Sequence, residues 1–238
     1  MLKSFEGVVP LIKRIILVLC LLGILYFFVV AMVDLEGIYN DFGRIFFLEN
    51  GYKDTGSRNL VTGIYLDYRL FDSLFEAGIL LIAVSGVMWI SQHDIKEKNA
   101  NFMLDKYKTP ELFVTFSRLL YPIMLAFGFY VIVNGHNSPG GGFQGGAIVA
   151  TAILILYYID ISKTIDVKLI LTIEKFLFML LVIIGALSFI TTDGLIFTNF
   201  IQDPNHKHIY LIILNVVIGA KVALGLVAIF TAFLKEGR

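Results

Sequence analysis

The chain has 238 residues, 58% apolar and 16% charged, with a mean hydropathy of +0.82. Soluble domains run about 45–50% apolar and about 25% charged, so this composition excludes a disordered chain and argues against an ordinary soluble enzyme. Nineteen Lys and Arg balance nineteen Asp and Glu, which leaves no basic excess for nucleic acid, and the single Cys20 excludes an internal disulfide or a Cys-rich metal centre within the chain.

Crossing a bilayer core of about 30 Å takes about 20 helical residues. Ile15–Val33 is uncharged, follows Lys13 and Arg14, and is too long for the apolar core of a signal peptide, so it predicts a retained first membrane helix. Asp34–Arg58 then forms a loop that holds a candidate amphipathic piece around Arg44–Leu48. Ala77–Ser91 is uncharged but reaches only about 22 Å at about 1.5 Å per residue, so a spanning helix must take in Glu76 and Asp72. Leu119–Gly135 and Gly140–Ile159 predict a third and fourth helix in a tight hairpin. Leu169–Thr192 is the fifth, with Glu174 and Lys175 in its first turns, and Ile209–Leu234 is the sixth, with Lys221 near its middle.

The expected fold is therefore an all-α integral membrane protein with about six spans. Lys3, Lys13, Arg14, Lys96, Lys98, Lys106, Lys108, Lys163, Lys168, Lys235 and Arg238 fall on one side, against Arg44, Lys53, Arg58 and Lys207 on the other. This bias predicts both termini in the cytoplasm. The polar linker 96–111 divides a two-helix part, 1–95, from a four-helix part, 112–238. No internal repeat suggests an inverted-repeat transporter complete in one chain.

Four features bear on chemistry. Lys221 in mid-helix costs at least about 3 kcal/mol to insert, so it calls for a carboxylate, a cavity or a protein interior. It serves either a proton or cation relay or a buried ion pair that fixes assembly. Arg69, Asp72 and Glu76 share one helix face at i,i+3 and i,i+4 spacing. Arg69 can pair with Asp72 and leave Glu76 free for an ion path or an interface, while Asp67 suits a charged helix entrance. The run from Asn134 to Gly146 contains Pro139, Gly140, Gly141, Gly142, Gly145 and Gly146. It contains G-x-G-x-x-G, but between membrane helices this is no dinucleotide site. It predicts a tight packing corner or an ion-lining turn with His136 as a titratable group. Glu174 is expected to meet a neighbouring chain or the lipid interface, and His206 and His208 to be exposed loop residues. No catalytic constellation, Walker sequence or metal-ligand spacing is present.

Gly135-His136-Asn137-Ser138-Pro139-Gly140-Gly141-Gly142-Phe143-Gln144-Gly145-Gly146 closely resembles the signature of the MnhB component of Mrp/Mnh-type multisubunit sodium/proton antiporters. The four-helix size of 112–238 and Gly219-Ala220-Lys221-Val222 fit the same family. The stretch Asn59–Glu76 resembles the C-terminal end of the large MnhA component of those antiporters, with Leu70 where Gly is usual, and residues 1–58 match only loosely. Both pieces also occur as small separate proteins in membrane-bound hydrogenases.

The resemblance implies an accessory component of an antiporter complex in a prokaryotic cell membrane, working with large proton-channel-like subunits and small helical ones in sodium and proton exchange. It implies no cofactor in this chain, places Glu76 and Lys221 in the ion path or its walls, and means that the chain alone does not transport. An ion-pumping module beside hydrogenase-type redox subunits and a purely structural scaffold are the alternatives.

Overall fold

The computed structural model describes residues 5–35, 41–94, 110–159, 166–191, 201, 203 and 206–236. Among them every regular element is a helix. In chain order these are α1 (Phe5–Leu35), α2 (Phe42–Thr55), α3 (Leu60–Gly63), a π-helical segment (Ile64–Tyr68), α4 (Leu70–Asp94), α5 (Glu111–Val133), α6 (Gly142–Ile159), α7 (Val167–Thr191) and α8 (Lys207–Glu236). Most of the linker 96–111, and the expected cytoplasmic cations Lys3, Lys96, Lys98, Lys106, Lys108, Lys163 and Arg238, lie outside the described residues.

Among the described residues four helices are long and apolar enough to cross a membrane: Leu70–Ser91, Glu111–Val133, Val167–Ile190 and Lys207–Phe233. Two shorter apolar stretches, Ile16–Met32 and Gly142–Tyr157, accompany them. The chain is thus an all-helical membrane protein. As the length argument requires, α4 begins at Leu70 and takes in Asp72 and Glu76. α5 begins at Glu111, well before Leu119, because Arg118 stays inside the helix with an exposed side chain, where a long cationic chain can reach toward water.

The chain divides into two compact units, Met1–Phe46 and Phe47–Arg238. In the first, side chains from Ile16 to Met32 on α1 are almost all exposed and apolar. A helix apolar on every side suits lipid rather than water. Asp41 and Arg44 form a surface ion pair at 2.8 Å. The expected amphipathic piece is helical: it lies in α2.

In the second unit α8 is the central helix. Of its span 61% is buried, against 17–22% for α4, α5 and α7, and it packs on α4, α5, α6 and α7. One apolar cluster joins Leu66, Leu70 and Ala77 to Leu181, Leu214 and Ile218. A second joins Ile132, Val149 and Ala150 to Ala223 and Val227. α4 lies against α7 as well as α8, so residues from both parts of the sequence division, 1–95 and 112–238, share this unit.

The α6–α8 contact is made by missing side chains. A Cβ on Gly142 would lie 2.7 Å from the Asn215 carbonyl oxygen, and one on Gly146 would lie 2.6 Å from that of Gly219. In lipid, where apolar surface gains little by leaving the solvent, such close backbone approach is a main source of helix association. Gly140 (φ +151°) and Gly141 (φ +149°) make the turn into α6 in a conformation that side-chain-bearing residues rarely adopt.

Candidate functional site

Lys221 Nζ lies 2.8 Å from Glu174 Oε1, and both side chains are 0% exposed. Phe178, one turn after Glu174, places its ring centroid 5.8 Å from the ammonium. Apart from this contact, neither the Glu174 oxygens nor Lys221 Nζ has a polar partner among the described residues. The pair satisfies itself across this one short contact and keeps further donors and acceptors unused, an uncommon state for buried ions. The expectation that Glu174 meets a neighbouring chain or the lipid interface is corrected: α7 turns it inward to α8. Its neighbour Lys175 is exposed.

Asn215 is also 0% exposed but faces another way. Its Oδ1 accepts from the Gly142 N–H at 2.8 Å and from the Tyr65 hydroxyl at 3.3 Å. An α8 side chain thus caps the start of α6, satisfying one of the four N–H groups a helix start leaves open. Its Nδ2 donates to no described group. Burial raises the Tyr65 phenol; a hydrogen bond with Thr62 opposes this, and the charge of Glu76 adds to it.

Arg69 and Asp72 form the expected pair, 2.7 Å apart and solvent-facing. Glu76, one turn on, is exposed within the span Leu70–Ser91. Asp67 is 1% exposed and so is not at a charged helix entrance: the π-helical segment turns it inward. Such segments frequently mark functional positions. Tyr68, at its end, donates to Asp54 Oδ2 at 2.7 Å, and burial followed by that carboxylate raises its pKa.

His136 is 7% exposed, and its Nδ1 lies 3.2 Å from the Val133 carbonyl oxygen. Its ring stacks on His208, with centroids 5.6 Å apart and planes at 21°. The reading of His208 as an exposed loop residue is corrected, since it is half-buried in the first turn of α8; His206 is exposed and pairs with Asp203 at 2.6 Å. Burial lowers the His136 pKa, the Val133 contact opposes this, and the nearby His208 adds to it.

The Gly135–Ser138 turn is gripped by the segment before α4. Thr62 Oγ1 donates to Gly135 O at 2.8 Å. Asn59 Nδ2 donates to Gly135 O at 2.9 Å and to Ser138 O at 3.0 Å. Ser57 Oγ and the Asn59 N–H both donate to His136 O, at 2.8 Å and 3.0 Å. The two stretches that carry the family resemblance therefore hydrogen-bond to each other. Replacing Thr62 by Val keeps the shape and removes one of these donors. This should cost about 1–3 kcal/mol, read as earlier thermal unfolding of the complex in detergent; an unchanged midpoint would count against the grip.

A family model described as "Domain related to MnhB subunit of Na+/H+ antiporter" matches residues 112–228. The "Putative antiporter subunit mnhB2" of Staphylococcus saprophyticus is 40% identical over 78 residues, 32% of this chain and 52% of that protein. An uncharacterized protein of Methanocaldococcus jannaschii is 33% identical over 111 residues, 41% of this chain and 42% of that protein. The chain thus spans about half the length of the curated relatives it matches.

Two solved structures are similar. One is a chain of the membrane-bound sulfane sulfur reductase, an archaeal respiratory membrane complex, with a TM-score of 0.68 and 28% identity, covering 94% of this chain and 98% of that one. The other is a chain of the Mrp complex from Dietzia sp. DQ12-45-1b, with a TM-score of 0.54 and 27% identity, covering 79% of this chain but 23% of that one. The signature turn, the α8 lysine and these matches agree: residues 112–228, just under half of the chain, are similar to the domain related to the MnhB subunit of Na+/H+ antiporters.

Proposed function

We propose that this chain is an accessory, multi-pass component of a multisubunit sodium/proton antiporter in a prokaryotic cell membrane, contributing to ion movement and to assembly. The observation that carries the reading is the Lys221–Glu174 pair, fully buried inside an MnhB-related helix bundle. A buried charge pair of this kind, with no other polar partner among the described residues, can exchange a proton or respond to a passing cation. In this reading α1 and α6 also span, giving six crossings with both termini inside. The segment Asn59–Glu76 serves as an MnhA-like piece joined to an MnhB-like one. Sodium and protons are the transported ions, and the partners are the large proton-channel-like subunits and small helical ones.

Glu76 points out of the chain from an apolar span, and no described residue pairs with it. A lone carboxylate facing hydrocarbon is costly, so its counter-group sits on an adjoining protein of the complex, and the ion path runs between the two. Glu76→Gln in the intact complex should lower sodium-driven proton movement in everted vesicles by at least about tenfold (about 1.4 kcal/mol) without changing subunit composition. Normal exchange in that variant would refute the role.

A second reading, a redox-driven pump, is favoured by the near-complete overlap with the sulfane sulfur reductase chain. In that reading the same residues serve the ion module and the redox centres lie on other subunits. Tagging the chain, extracting it in mild detergent and identifying its companions separates the two. Large antiporter-like subunits alone support the first reading. Iron–sulfur or nickel–iron subunits support the second, and a chain that emerges alone contradicts both.

A further inference from the structure

Where α5 ends and α8 begins, an open cavity of about 280 Å³ is lined by Tyr52, Gly56, Arg58, His136, Asn137 and His208. Its described lining holds a guanidinium, two imidazoles, an amide and a phenol, and no carboxylate. Arg58 is exposed and makes no hydrogen bond or ion pair with a described residue. The charged groups near it have other partners. Asp54 accepts from Tyr68, Lys207 Nζ donates to the Asp54 carbonyl, and Asp203 pairs with His206. Among the described residues, no carboxylate lines the cavity to serve Arg58 and the stacked pair His136–His208 as a counter-ion.

The donor inventory narrows the ligand. A carbonyl oxygen only accepts, so the His136 Nδ1 that faces Val133 O carries its proton. Its Nε2 is then a bare lone pair in the neutral ring and becomes a donor only in the imidazolium. No described group bonds that nitrogen, although the side chain is more than nine-tenths buried. Stacked imidazoles repel when charged, and a guanidinium beside them adds to the cost. A multivalent oxyanion reverses all three terms: it takes a bidentate bond from Arg58, accepts from Asn137, and holds a proton on His136.

We propose that this cavity binds a phosphate group, taking up a proton as it does so. The span Glu111–Val133 ends and the span Lys207–Phe233 begins beside it, at the depth where a bilayer carries its headgroup phosphates. The ligand is accordingly either a phospholipid headgroup or free phosphate. The site is separate from the Lys221–Glu174 pair and does not depend on the transport reading.

The purified complex containing the full chain is titrated with inorganic phosphate by calorimetry at about pH 6 and about pH 8, on either side of the usual histidine range. In parallel, native mass spectrometry records whether phosphatidylglycerol stays bound through detergent purification at the same two pH values. Arg58→Gln is the test variant: the side chain is exposed and unpartnered, so assembly should be intact by gel filtration. Saturable phosphate binding, tighter at the lower pH and weakened at least about tenfold by Arg58→Gln, identifies free phosphate. No heat from phosphate, but a lipid retained more fully at the lower pH and lost from the variant, identifies the headgroup. Absence of both, binding indifferent to Arg58→Gln, or binding equal at the two pH values overturns the proposal.

Discussion

Lys221→Met alone, or Glu174→Leu alone, should sharply reduce the amount of assembled complex, whereas the two together should restore it. Each single change leaves one buried charge without its counter-ion. The Lys221–Glu174 contact is 2.8 Å long, with both side chains 0% exposed, and breaking such a pair by removing one partner costs about 3–5 kcal/mol. Removing both with apolar residues of similar volume is often neutral, since the desolvation of two ions disappears along with their attraction. The double variant then decides function. If the pair takes part in ion movement, the restored complex should exchange sodium for protons at less than about a tenth of the normal rate, a loss of more than about 1.4 kcal/mol in the barrier. If the pair only fixes helix positions, exchange should return with assembly. The measurement is proton movement in everted vesicles, normalised to complex quantified on blue native gels. Normal assembly of both single variants would show that the pair is more hydrated than its burial indicates.

The features legible in the sequence are those set by spacing along one helix. Arg69 and Asp72 stand three residues apart and pair. Glu76 falls inside α4 because the uncharged run after it is too short to span. Lys221 is buried because an apolar run on each side of it leaves no other place. What escapes is the meeting of helices. Glu174 lies early in α7 and Lys221 midway along α8. Helical period gives the direction of a side chain about its own axis and says nothing about which helix that direction meets.

The same limit applies to Asn215. Its offset from Lys221 along α8 shows only that the two need not share a face; in the structure it caps α6, whose own sequence gives no sign of a cap borrowed from another helix. His208 reads as a loop residue from the sequence until α8 is seen to start at Lys207 and bring it against His136. The glycines of the signature turn are legible as a close-packing corner. Their partner, the α8 backbone, is not.

Gly146→Ala should destabilise the complex more than its size suggests, and Gly86→Ala is the matched control. Both glycines lie within helices. Ala generally favours a helix over Gly by about 0.8–1.0 kcal/mol, so propensity alone predicts that both substitutions stabilise. At Gly86 a Cβ would meet nothing within 4 Å, and the propensity gain should stand. At Gly146 it would lie 2.6 Å from Gly219 O and 2.9 Å from Val222 Cβ. Backbone and β-carbon cannot swing aside as a side-chain tip can, so α6 must move away from α8. Overpacking of a close contact costs about 1–3 kcal/mol, which exceeds the propensity gain and reverses its sign. The displacement also reaches the buried pair indirectly, because α8 carries Asn215 and Lys221 on either side of Gly219. Thermal unfolding of the detergent-solubilised complex should therefore shift down for Gly146→Ala and stay level or rise for Gly86→Ala. Equal midpoints for the two variants would mean that α6 and α8 are not in backbone contact, and the account of Gly142 and Gly146 as the surface on which α8 seats would fail with it.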